Sequence, residues 1–96
     1  MLRLEFQRRT DDTLHRFDRC AARHGHSAWK RDDLNLWLAR LPEAGWRVID
    51  DHGLSRASPD AALDALGPAP PLGRWQSDKD GKSYAYDLRA AEADAP

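Results

Sequence analysis

Ninety-six residues with 15 basic and 16 acidic side chains, a formal charge of −1, are enough for one small domain and too few for two. That balance excludes a protein held to nucleic acid by bulk charge, and equally a strongly acidic mimic. The single cysteine, Cys20, excludes an internal disulfide, and no apolar run approaches the roughly 20 residues of a membrane helix. Charges at Arg3, Glu5, Arg8 and Arg9 interrupt any signal-peptide core at the N-terminus, so a cytoplasmic protein is expected. Arginine outnumbers lysine twelve to three and alanine occurs fifteen times, the composition of a GC-rich bacterial or phage gene. Charge is uneven along the chain: residues 1–31 carry eight bases against four acids, and residues 32–96 carry seven against twelve.

Leu2-Arg3-Leu4-Glu5-Phe6-Gln7-Arg8 alternates apolar and polar residues and predicts a half-buried strand. Thr10 or Asp11 then caps a predicted helix with Leu14, Phe17 and Ala21 on one face and Arg16, Arg19 and Arg23 on the other, closing at Gly25. The segment 32–41 carries two patterns. Leu34, Trp37, Leu38 and Leu41 fall at helical spacing, whereas Leu34, Leu36 and Leu38 alternate as in a strand. The helical match spans two turns without a β-branched residue and is the reading adopted; it leaves Leu36 pointing outward. Trp46 to Asp50 predicts a strand after Pro42–Gly45, and Asp51-His52-Gly53 a turn into a short strand at Leu54–Arg56.

Ser58-Pro59-Asp60 has the order of a helix start, a cap followed by proline and an acid, and Gly67-Pro68 would end that helix. Pro68–Pro71 is a stiff connector. Arg74–Lys79 and Lys82–Leu88 flank Asp80-Gly81, a favoured two-residue hairpin turn. Counting outward pairs Ser77 with Tyr84, Trp75 with Tyr86 and Arg74 with Asp87, which puts Trp75, Tyr84 and Tyr86 on one face. Residues 90–96 read as a flexible tail. The fold expected is therefore α+β: one domain over residues 1–89, β-α-α-β-(β)-α-β-β, with helices mainly on one face of an antiparallel sheet.

No catalytic constellation emerges. Cys20, His24 and His26 offer soft and imidazole ligands, but a structural zinc site needs four and no second pair completes it. Cys20 in mid-helix has no neighbouring donors to activate it as a nucleophile. The pairs Asp11-Asp12, Asp32-Asp33 and Asp50-Asp51 stand where elements begin or end, where aspartate caps and turns the chain. Gly81-Lys82-Ser83 resembles the end of a phosphate loop, yet it precedes no helix. Neither cofactor nor metal is expected.

Trp29 and Trp37, with Leu36 outside the helical stripe, form the composition of a partner-binding surface. The function expected is a small non-catalytic regulator, inhibitor or adaptor, phage- or mobile-element-borne, that docks on a larger protein through these residues; the same surface suits a homodimer. The alternative is a nucleic-acid-binding accessory protein tracking phosphates with Arg16, Arg19, Arg23, Lys30 and Arg31. Finally, His26-Ser27-Ala28-Trp29, Leu41–Ile49 around Gly45-Trp46, and Ser55-Arg56-Ala57 resemble segments of MbtH-like proteins, with Lys30 in place of that family's proline. The resemblance implies a helix after the Trp46 strand, and an activator of an adenylation domain that presents Trp29 and Trp46 to it.

Overall fold

Period-two alternation governs most of this chain, including two of the three segments where helices are expected. The computed structural model describes residues 2–23, 25–79 and 81–92. It contains β1 (Leu2–Arg8), β2 (Leu14–Arg23), β3 (His26–Arg31), β4 (Leu36–Leu41), β5 (Gly45–Asp50), β6 (Ser55–Pro59), β7 (Gly73–Lys79) and β8 (Lys82–Glu92). Each strand pairs antiparallel with the next, and β8 returns to β1, closing an eight-stranded barrel. There is no helix among the described residues, so the α+β expectation is corrected to all-β, and none therefore is long and apolar enough to cross a membrane.

Strands β1 and β5 fall as expected, and the hairpin register is as counted: Ser77 opposite Tyr84, Trp75 opposite Tyr86, Arg74 opposite Asp87. Gly81 has φ 76°, as its turn requires, while Asp80 lies outside the described residues. Residues 90–92, expected in a tail, continue β8 and pair with Leu4, Arg3 and Leu2; residues 93–96 lie outside the described residues.

Three helices are corrected. The segment after Asp11 is β2, whose inward side chains include His15 and Phe17 while Leu14 and Arg16 are exposed; with a histidine inside and a leucine outside, the apolar pattern could not display the alternation. Residues 36–41 form β4, with Leu36 and Leu38 inward. Trp37 and Leu41 on the outer side pack against a second small cluster of Ala28, Ala39 and Ile49. Apolar residues on both faces imitate a helical stripe. Beyond Pro59 the chain makes turns instead of a helix. Asp60 Oδ1 accepts from the Ala62 amide and Asp64 Oδ1 from the Leu66 amide, both at 3.0 Å. These side chains satisfy locally the amides that a helix would have paired, and the stretch before Gly67 is too short to be helical without packing.

Inward positions fill one end of the barrel. Trp46, Trp75 and Leu38 are fully buried, and Leu4, Phe17, Trp29, Val48 and Leu88 pack around them. Phe6 is central, meeting Phe17, Trp75 and Tyr86 edge to face at 5.3–5.8 Å. The β6–β7 connection, residues 60–72, folds across this end as a plug. Its carbonyls accept from the Trp46 amide (Ala65, 2.8 Å), the Trp46 indole (Gly67, 2.9 Å), the Trp75 indole (Pro71, 2.9 Å) and Arg40 Nη2 (Leu66, 2.8 Å). The tryptophans thus serve twice, as core and as the donors that seat the plug. By the strict up-and-down order, the β1–β2, β3–β4, β5–β6 and β7–β8 turns gather at the opposite end.

A candidate ligand site in the open end of the barrel

Eight strands enclose an interior just wide enough to be filled by side chains or to hold one small ligand. Here the plugged half is filled and the other is not. At the open end lies a cavity of ≈ 710 Å³, within the range usual for small-molecule sites. A narrower recess of ≈ 60 Å³ runs inward from it, walled by Phe6, Phe17, Val48, Ala57, Leu36 and Tyr86.

Four strands bring cations into the cavity: alternation turns Arg8 on β1, Arg31 on β3 and Lys82 on β8 inward, and the register shift between β5 and β6 adds Arg56 on β6, next to inward Ala57. Arg8 makes a bidentate pair with Asp11 (2.9 and 2.6 Å) and lies over the Tyr84 ring, 5.4 Å from its centroid. The pair holds the Asp11 carboxyl well below the usual carboxylate range. Arg31 is bidentate to Asp33 through Nε and Nη2, and Arg56 donates Nε to Asp50 at 3.0 Å. A guanidinium carries five N–H donors. Nη1 of Arg31 and both terminal nitrogens of Arg56 therefore keep donors that these carboxylates do not use.

Among the acids lining the cavity, Asp50 is buried and fully engaged, accepting from the His52 and Leu54 amides and from Arg56 at 2.9–3.0 Å. The Leu54 amide foremost, then the His52 amide and Arg56, hold its carboxyl below its ordinary value. A carboxyl with a depressed folded-state value contributes stability above the unfolded value near 4, lost as pH falls through the lowered one. Asp50→Asn should accordingly melt below the parent at pH 7, with the gap closing toward pH 2; a gap independent of pH would show that the charge is irrelevant. His15 lies beside Tyr86 at 5.6 Å. Burial first, and the charge of Arg31 next, push its imidazole below its ordinary value, which favours the neutral form.

The residues singled out from sequence are dispersed. Of the partner-binding set, Trp29 is 6% exposed in the core, 6.0 Å from Trp46, and its indole N–H has no partner among the described residues. Leu36, expected outside a helix, lines the cavity because β4 turns it inward. Trp37 alone faces outward, half-buried, with Arg23 at 4.5 Å and Lys30 at 5.7 Å from its ring. The five-member basic ridge is likewise divided. Arg16 pairs with Glu5 (3.2 Å), Arg19 bonds Ser27 and lies over Trp29, and Arg31 enters the barrel. Only Arg23 and Lys30 stay together, both on Trp37.

Cys20 packs on the outer cluster, His26 faces Arg40 and Trp46 at the plugged end, and His24 lies outside the described residues. In the segments that resemble MbtH-like proteins, both tryptophans are buried and Ser55–Pro59 is a strand where that likeness implies a helix. Sequence reasoning missed Arg8, His15, Arg56 and Lys82 as site residues. The hairpin count had already placed Tyr84 and Tyr86 on the face that became the cavity wall. No protein-family model matches this chain, and neither the curated proteins nor the solved structures contain a match to it.

Proposed function

We propose that this protein is a non-catalytic binding protein that takes a small anionic ligand with an apolar body into the open end of its barrel. One observation carries the reading: arginines from three strands line a cavity whose inner wall is aromatic and aliphatic. A guanidinium is well suited to such a place, being weakly hydrated and able to grip an oxyanion with two parallel bonds. The test uses anilinonaphthalene sulfonate, an anionic aromatic dye. It should bind one site per chain, more weakly as salt rises, and at least tenfold more weakly in Arg31→Gln and in Arg56→Gln, each melting cooperatively. Absence of saturable binding by the parent, or binding by both variants as tight as the parent's, would reject the reading.

A second reading keeps the regulator, inhibitor or adaptor expected from sequence, with a larger protein as partner. The rim of the open end supports it: Leu34 and Leu54, on the β3–β4 and β5–β6 turns, are 50% and 63% exposed. On this reading the docking surface is the rim, and Leu34→Asp with Leu54→Asp should abolish partner capture while leaving dye binding in place.

A further inference from the structure

From the form of the cavity we infer that the ligand is a small aryl monocarboxylate, its ring against the mouth of the inner recess and its carboxylate between Arg31 and Arg56. The inference rests on the binding role proposed above and goes beyond it to the class of compound. Charge decides the head group. Arg8, Arg31, Arg56 and Lys82 bring four positive charges, while Asp50 and Asp78 in the wall and Asp11 and Asp33 on the arginines bring four negative ones. A site already balanced accommodates one added negative charge more readily than the two of a phosphate monoester, whose desolvation would go uncompensated.

Geometry agrees. Both cations line both the cavity and the recess, so an anion held by them sits at the neck between the two. The free donors are Nη1 of Arg31 and the terminal nitrogens of Arg56, a number that suits the two oxygens of a carboxylate.

The recess decides the body. It is short, because Trp75, Trp46 and Leu38, all fully buried, close the barrel beneath it and leave no channel for a long alkyl chain. Beside Leu36, Val48 and Ala57 its wall carries four rings: Phe6 meets Phe17 and Tyr86 edge to face at 78° and 71°, and His15 is tilted at 46° to Tyr86. A flat ring continues that arrangement, and edge-to-face contacts add to the gain from area alone.

Calorimetric titration of the full chain with four probes separates the elements: cinnamate, hexanoate, phenyl phosphate and cinnamyl alcohol. Cinnamate should bind at least tenfold more tightly than each of the others. Its ring protons should give nuclear Overhauser contacts to Phe17 and Tyr86. Ala57→Leu, which fills the recess, should abolish cinnamate binding; Arg56→Lys, which keeps charge but loses the planar fork, should weaken it at least fivefold. Equal or tighter binding of hexanoate or phenyl phosphate overturns the aryl-carboxylate assignment. So does failure of all four probes while the anionic dye still binds; in both cases the open-end site itself stands. Failure of the dye and the acids alike removes both inferences.

Discussion

Gly45→Ala should lower the melting temperature by about 15–20 °C. Gly45 opens β5 with φ 82°, and an added Cβ would lie 2.1 Å from the carbonyl oxygen of Ala65 and 2.7 Å from its carbon. Those are backbone atoms of the plug and cannot rotate away. Left-handed backbone on a residue with a side chain costs roughly 1–2 kcal/mol. Displacing the Ala65 carbonyl adds about 1 kcal/mol for the hydrogen bond it accepts from the Trp46 amide. The sum reaches about 3 kcal/mol, and in a domain of this size each kcal/mol moves the midpoint by roughly 4–8 °C. Gly53→Ala is the control: its φ is 79°, but nothing lies within 4 Å of the added carbon, so only the strain of about 1–2 kcal/mol remains. Equal melting of the two variants would mean that residues 60–72 do not seat on Gly45.

Trp75→Ala should be more damaging still. Trp75 has no exposed surface, packs edge to face on Phe6 at 5.3 Å and donates its indole N–H to Pro71. Replacing a buried tryptophan by alanine costs about 3–5 kcal/mol. That is a large part of the 5–15 kcal/mol typical of a whole domain. Trp75→Phe retains the ring and orphans the Pro71 carbonyl, for about 1–3 kcal/mol. Trp37→Ala, on the outer face, should cost less than either. Urea denaturation of the three variants orders them, and a Trp75→Ala as stable as Trp37→Ala would place the core elsewhere.

Arg74 and Asp87 show how far residue pairing can be read ahead of the fold. Their register opposite one another follows from the Asp80-Gly81 turn and is found in the structure. Yet the Asp87 carboxylate is held by Arg9, 78 positions away, with bonds of 2.7 and 2.9 Å. Arg9 reaches it because β1 closes on β8, a pairing between the two ends of the chain that no local pattern reports.

What the sequence determined by itself was the local and the alternating: β1, β5, the hairpin with its register, and the face shared by Trp75, Tyr84 and Tyr86. These segments keep one apolar and one polar side, so their period is visible. Closure of the barrel, and with it the site, was decided only by tertiary structure. In β2 the inward side chains include His15 while Leu14 is exposed, because the open half of the interior is lined by polar and charged groups; in β4 the outward ones include Trp37 and Leu41, because a second cluster covers them. Both strands thereby lose the contrast between faces on which sequence reading depends. The arginines of the cavity were hidden for the same reason. Arg8, Arg31 and Arg56 stand as far apart as 48 positions, and only the closed sheet turns all three toward one space.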